Sequence, residues 1–174
     1  MSAALPAVTL VLGGVRSGKS AYGEELALSQ TGPCLYLATA EAGDQEMAAR
    51  IARHKARRGA RWRTVEEPLE LVEALGRAEA GAVLVDCLTL WLANLLGAGR
   101  DPEQEGDKLA AALPGLAAPV IFVSNEVGLG VIPDNKLARE FVDRAGRLHQ
   151  KLAREAQAVV FMVAGQPLHV KSIH

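Results

Sequence analysis

Residues 13–20, GGVRSGKS, have the residue types and spacing of a loop that binds the phosphates of a nucleotide. Gly13, Gly18, Lys19 and Ser20 fit the pattern G-x-x-x-x-G-K-[ST]. The glycines permit a turn whose backbone N–H groups point at phosphate oxygens, and a helix beginning behind the turn adds a favourable dipole. We therefore expect Lys19 to reach the β- and γ-phosphates of a nucleoside triphosphate and Ser20 to bind Mg²⁺.

A second magnesium ligand is predicted at Asp86, which ends the apolar run AVLVDC. An acidic residue in this place holds Mg²⁺ directly or through water in proteins with a phosphate loop. Asp86 also precedes the helical segment LTLWLANLL, so a helix N-cap is the structural alternative. Given the phosphate loop, we favour the metal role.

His54 is surrounded by cationic side chains in RIARHKARRG, residues 50–59. The whole chain carries 19 basic and 20 acidic residues, so this cluster does not reflect bulk composition. Nearby positive charges disfavour the imidazolium, and a neutral imidazole is a competent nucleophile. The same cations would offset the charge of a triphosphate and of a leaving pyrophosphate. These residues alone leave three roles open for His54: nucleophile, phosphate contact, or packed residue on a solvated basic helix.

Asn125 and Glu126 follow an apolar run and are expected at the carboxyl edge of a sheet, where ligands of open α/β proteins gather. A substrate loop, with Gly128 and Gly130 giving mobility, and a structural turn are equally compatible with the segment VSNEVGLGVIPD.

The pattern of apolar residues along the chain predicts the strands and helices that position these residues. Apolar runs with the length of buried strands occupy 7–13, 34–39, 82–88, 119–125 and 158–165, with a shorter candidate at 62–67. Helices are predicted at 18–30, 43–58, 67–79, 88–98, 102–113 and 134–156, and the irregular stretch 97–107 as an exposed loop. The runs lack alternation, as in strands covered on both faces. Alternating strands and helices predict an α/β sandwich with a mainly parallel sheet.

The last predicted helix is amphipathic, with apolar residues at three- and four-residue steps: Leu137, Phe141, Ala145, Leu148 and Leu152. His149 in this helix is expected to be solvated. Trp62 and Trp91 are expected in the core.

Chain length, composition and net charge limit the kind of protein that this chain can be. A chain of 174 residues with 49% apolar residues suits one domain, residues 1–174. The net charge of −1 argues against a nucleic-acid partner. Cys34 and Cys87 lie in apolar runs, which favours buried thiols in a reducing cytoplasm. We read neither a signal peptide nor a run of ~20 apolar residues that would span a membrane.

Several segments together resemble the bifunctional adenosylcobinamide kinase / adenosylcobinamide-phosphate guanylyltransferase family. They are GGVRSGKS, YLATAEAGDQEMAARIARHKARR, WRTVEEP, VLVDCLTLWLANLL and VSNEVGLGVIPDNKLAREFVDRAGRLHQKLA. Their order and spacing agree with the family from about residue 8 to residue 171. The resemblance implies a P-loop NTPase fold of the RecA-like type, a three-layer sandwich around a mainly parallel sheet.

The resemblance also implies two reactions of cobalamin biosynthesis. ATP or GTP phosphorylates the aminopropanol hydroxyl of adenosylcobinamide. GTP then donates GMP to a histidine with loss of pyrophosphate, and the phosphorylated corrinoid takes GMP from that histidine to give adenosylcobinamide-GDP. A homotrimer is implied as well.

Carried onto this chain, the resemblance makes His54 the guanylyl carrier. Lys19 is the catalytic residue expected for the separate phosphoryl-transfer step. It implies nucleotide contacts at Gly13, Gly14, Val15, Arg16, Ser17, Gly18, Lys19, Ser20, Ala38, Thr39, Ala40, Lys55, Ala56, Arg57, Arg58, Glu66 and Asp86.

Two other functions remain as alternatives. A plain P-loop kinase for another small molecule predicts γ-phosphate transfer without covalent GMP. A RecA-like ATPase or GTPase switch predicts hydrolysis stimulated by a partner, without a small acceptor.

Overall fold

A computed structural model describes residues 5–40 and 59–172, and these contain seven strands in one sheet. The strands are β1 (Val8–Gly13), β2 (Cys34–Ala38), β3 (Trp62–Glu66), β4 (Ala82–Asp86), β5 (Val120–Asn125), β6 (Ala158–Val163) and β7 (Gln166–Lys171). Their order in the sheet is β3-β2-β4-β5-β1-β6-β7. The first six strands run parallel, and β7 pairs antiparallel with β6 at the edge.

Helices cover both faces of this sheet and make three layers. They are α1 (Lys19–Leu28), α2 (Leu71–Gly76), α3 (Leu88–Gly97), α4 (Pro102–Ala112) and α5 (Lys136–Glu155). Successive residues of β4 enter different cores: Leu84 packs on the α1 side, and Val83 and Val85 pack on the side of the other helices. None of the described helices is both long and apolar enough to cross a membrane.

The predicted α/β sandwich with a mainly parallel sheet is confirmed, and every predicted strand is present. Trp91 is fully buried, as expected, and its indole N–H donates to the carbonyl of Leu69 at 2.9 Å. Trp62 is only half-buried and packs edge-on against Tyr36. The predicted helix at 43–58 lies outside the described residues.

Three details of the predicted elements were wrong. Strand β7 was missed because the edge strand QPLHVK is exposed along its whole length and lacks the continuous apolar run of the others. Leu137 was placed in the apolar stripe of the last helix, but it is exposed in the first turn of α5. The irregular stretch 97–107 ends earlier than expected, because the Asp101 carboxylate accepts from the N–H of Glu103 and starts α4 at Pro102.

Candidate active site

The strand register brings the predicted site residues to one edge of the sheet. Gly13 at the end of β1 pairs with Asn125 at the end of β5. Asp86 at the end of β4 pairs with Ala38 at the end of β2, which in turn pairs with Glu66 at the end of β3. Parallel strands point their carboxyl ends to the same side, so five strand ends meet where ligands of such sheets bind.

A cleft of about 460 Å³ opens at this edge. Its lining comes from the phosphate loop and the start of α1, from the segment after β2, from β4 and β5, and from the start of α3. The lining residues are Val15, Arg16, Ser17, Gly18, Lys19, Ser20, Ala21, Ala40, Asp86, Cys87, Leu90, Val123 and Asn125. The phosphate loop and the predicted magnesium ligand therefore face one common space.

Glycine is required at two turns of the phosphate loop. Gly18 has φ +97°, a left-handed conformation, and a Cβ there would lie 3.3 Å from the Cα of Gly165. At Gly13 a Cβ would lie 2.6 Å from the carbonyl oxygen of Met162. The Gly165 N–H also donates to the carbonyl of Ser17 at 3.0 Å. The β6–β7 turn thus packs against the loop and fixes its shape.

Lys19 is buried at the start of α1, where its ammonium group bends back over the loop. Its Nζ donates to the carbonyl of Gly14 at 2.5 Å and to Ser17 Oγ at 3.4 Å. Burial lowers the pKa of Lys19 from its usual value, and the nearby Asp86 and Cys87 oppose that effect. A cation held at the floor of a cleft is suited to a polyphosphate ligand.

Asp86 holds a defined position because its Oδ2 accepts a hydrogen bond from the Tyr36 hydroxyl at 2.7 Å. The alternative N-cap role is wrong: the N-cap of α3 is Cys87, and no side chain caps this helix. The half-buried Asp86 instead lines the same cleft as Ser20. One carboxylate and one hydroxyl fit Mg²⁺, which usually takes few protein ligands and completes its shell with phosphates and water.

The residues of LATA differ in their access to the cleft. Ala40 lines it, whereas Ala38 and Thr39 are buried. The Thr39 hydroxyl donates to the carbonyl of Cys87 at 2.7 Å and accepts from the Cys87 N–H at 2.9 Å. Thr39 therefore ties the ends of β2 and β4 together, so its hydroxyl is engaged within the protein. Glu66 is exposed at the end of β3, beyond Ala38.

A chain of buried polar side chains lies behind Asn125 and was not predicted from the sequence. His149 Nε2 lies 2.8 Å from Ser124 Oγ, and Ser124 Oγ lies 3.1 Å from Thr89 Oγ1. The Thr89 hydroxyl in turn accepts from the Asn125 N–H at 2.8 Å. The expectation that His149 is solvated was wrong, because it faces the sheet beside Leu148 and is 7% exposed. Its position next to the apolar stripe was the signal that was available.

We expect His149 to make stability depend on pH. Burial lowers its pKa, and the Glu126 carboxylate, with Oε2 3.9 Å from Nδ1, opposes the shift. Below about pH 6.5 the unfolded chain takes up a proton that the folded protein resists, so the free energy of unfolding falls as the pH falls. The free energy of unfolding in urea, measured between pH 5 and 8, should fall more steeply with falling pH for the wild type than for His149→Gln. The same pH dependence in both proteins would contradict a neutral, buried His149.

The basic segment with His54, Lys55, Ala56, Arg57 and Arg58 lies outside the described residues. The guanylyl-carrier role of His54 and the phosphate contacts of its neighbours therefore stay predictions from the sequence.

Comparisons with a family model and with individual relatives agree with each other. Residues 9–170 match the family described as cobinamide kinase / cobinamide phosphate guanyltransferase. The bifunctional adenosylcobalamin biosynthesis protein CobP of Pseudomonas aeruginosa is 52% identical over 93% of this chain and 96% of its own length. The bifunctional adenosylcobalamin biosynthesis protein CobU of Salmonella typhimurium is 41% identical over 93% of this chain and 98% of its own length.

Solved structures show the same fold in more distant proteins. The flagellar accessory protein FlaH from Methanocaldococcus jannaschii superimposes with a TM-score of 0.58 at 12% identity, over 97% of this chain and 80% of that one. The RadB recombinase superimposes with a TM-score of 0.55 at 15% identity, over 90% of this chain and 74% of that one. At these identities the likeness concerns the fold alone, and it confirms the RecA-like P-loop architecture.

Proposed function

The chain belongs to the cobinamide kinase / cobinamide phosphate guanyltransferase family, and we propose that the cleft binds the nucleotide for its two reactions and that His54 carries GMP in the second. The enzyme acts in adenosylcobalamin biosynthesis. The observation that supports a nucleotide site in the cleft is the convergence of the phosphate loop, Lys19 and Asp86 at the carboxyl edge of the sheet.

In the first reaction, the cleft holds the triphosphate of ATP or GTP. Backbone N–H groups of the loop and the Lys19 ammonium neutralise the β- and γ-phosphates, and Ser20 and Asp86 hold Mg²⁺. Bound there, Mg²⁺ supplies charge that stabilises the transferring phosphoryl group. The hydroxyl oxygen of adenosylcobinamide attacks the γ-phosphorus, the bond to the bridging β–γ oxygen breaks, and the hydroxyl proton is released.

In the second reaction, His54 is the nucleophile. A neutral imidazole nitrogen attacks the α-phosphorus of GTP, the α–β bridging bond breaks, and pyrophosphate leaves while the ring loses its proton. A phosphate oxygen of adenosylcobinamide phosphate then attacks the same phosphorus, the P–N bond breaks, and the ring regains a proton. The covalent step splits a difficult transfer between two anions into two easier ones.

The nucleotide contacts are proposed for the whole phosphate loop, for Ala40, and for Glu66, with Lys55, Arg57 and Arg58 on the phosphates. Thr39 contributes indirectly, because its hydroxyl bonds to Cys87 keep the ends of β2 and β4 together. We also propose a cytoplasmic homotrimer. The exposed apolar side chains of Leu129, Val131 and Ile132, in the loop after β5, support contact between copies.

Labelling with GTP tests the proposal. Protein incubated with Mg²⁺ and GTP labelled at the α-phosphate, then denatured and digested, should carry acid-labile, alkali-stable label on the peptide that contains His54. GTP labelled at the γ-phosphate should leave no label. Protein that binds GTP but takes no α-label would contradict the covalent mechanism and favour the plain kinase.

A further inference from the structure

Tyr36 makes a contact with the site that none of the predicted roles explains. Its ring is buried in β2, with only 6% of the residue exposed, and packs edge-on against Trp62, with centroids 6.0 Å apart. Its hydroxyl crosses to β4 and donates to Asp86 Oδ2 at 2.7 Å. A phenylalanine ring would fill the same space in this apolar core. Packing of the ring therefore does not account for the Tyr36 hydroxyl.

The hydrogen bond occupies one oxygen of the carboxylate and leaves the other available. Among the described residues, no hydrogen bond to Asp86 Oδ1 is found. A carboxylate held by one oxygen against a rigid ring cannot rotate freely, so the position of Oδ1 is set by the protein before a ligand arrives. Asp86 lines the cleft together with Ser20 and Lys19, so this carboxylate belongs to the nucleotide site.

The neighbouring contacts hold the backbone on both sides of this hydrogen bond. The Thr39 N–H donates to the carbonyl of Asp86 at 3.2 Å, and the Thr39 hydroxyl holds Cys87. Tyr36 and Thr39 lie three residues apart on the same strand and its extension. They fix the side chain and the backbone of Asp86 respectively.

We propose that Tyr36 is a positioning residue for Mg²⁺: its hydroxyl orients the Asp86 carboxylate and thereby couples binding of the metal to binding of the nucleotide. The proposal rests on the metal role of Asp86 in the proposed function. Partners that orient metal-binding carboxylates commonly change metal affinity by about 10- to 100-fold when they are removed.

Tyr36→Phe removes the hydroxyl alone and keeps the ring against Trp62. The probe is α,β-methylene GTP, whose P–C–P linkage prevents transfer of GMP to the protein. Its dissociation constant is measured by calorimetry once with EDTA and once with saturating Mn²⁺, and the ratio of the two is the gain in affinity due to the metal. We expect the gain to fall about 10-fold in Tyr36→Phe, while the constant with EDTA stays within about twofold of the wild type.

Tyr22→Phe is the matched control, because Tyr22 is the other of the two tyrosines and packs against the same core from α1. It should keep the metal-dependent gain of the wild type. Asp86→Asn distinguishes a failure of the proposed metal role of Asp86 from a failure of the proposed role of Tyr36. If Asp86→Asn keeps the gain, the metal role of Asp86 fails; if Asp86→Asn loses it and Tyr36→Phe keeps it, only the role of Tyr36 is overturned.

A measurement that retains Tyr36 covers the case in which Tyr36→Phe is unfolded. In Tyr22→Phe protein labelled with 3-fluorotyrosine, Tyr36 gives the single ¹⁹F resonance. This resonance should shift when Mg²⁺ is added to the complex with α,β-methylene GTP and should not shift when Mg²⁺ is added without nucleotide. An unchanged resonance in the complex would overturn the proposal.

Discussion

Replacing His54 by glutamine will stop guanylyl transfer while leaving phosphorylation of adenosylcobinamide within a few-fold of the wild-type rate. Glutamine keeps a polar side chain of similar reach but has no nucleophilic ring nitrogen. Removal of a covalent nucleophile can cost up to about 10⁶-fold in rate, so we expect a loss of at least about 10⁴-fold in formation of adenosylcobinamide-GDP. The phosphoryl transfer uses the γ-phosphorus and does not pass through the ring.

The two reactions can be separated in one preparation of the variant. Phosphorylation is followed with γ-labelled ATP and adenosylcobinamide, and guanylyl transfer with α-labelled GTP and adenosylcobinamide phosphate. His169→Gln is the control, because His169 lies exposed on the edge strand β7, and it should keep both rates. Covalent α-label on His54→Gln protein would contradict the assignment of the carrier.

The central part of the fold could be predicted because its physical causes are local. Parallel strands buried on both faces need continuous apolar runs, and such runs stand out at Ala82–Asp86 and Val120–Asn125. The phosphate loop is also a local pattern, since its glycines, lysine and serine must follow one strand and begin one helix. Strand β7 has no such cause in its own sequence, because it pairs with β6 through backbone hydrogen bonds at the exposed edge.

Parts of the candidate site that lie within one segment could be predicted from the sequence. Contacts between residues that are distant in the sequence could not. Asp86 was identified from its position at the end of an apolar run, but its bond to Tyr36 joins residues 50 positions apart. The contact of His149 with Ser124 spans 25 positions, and that of Thr39 with Cys87 spans 48. Packing and register determine such pairs, and a single sequence does not reveal them.

Replacing Lys19 by methionine will slow phosphorylation of adenosylcobinamide by about 10³-fold, because a cation that stabilises a transferring phosphoryl group contributes about 10³- to 10⁵-fold. Methionine retains the length of the buried stem and loses the charge and the N–H donors to Gly14 and Ser17. The bond from Nζ to the carbonyl of Gly14 is lost, but Gly14 is exposed and water can replace the donor.

The melting temperature of Lys19→Met therefore distinguishes a catalytic effect of the substitution from a structural one. Burial of the ammonium group disfavours its charged form and lowers the pKa of Lys19, so its removal should leave the melting temperature unchanged or raise it. Lys136→Met is the control, because Lys136 is exposed at the start of α5, and it should keep the wild-type rate. Rates are measured at saturating nucleotide, with affinity determined separately. A folded Lys19→Met protein with a wild-type rate would mean that the loop holds the phosphates through its backbone alone.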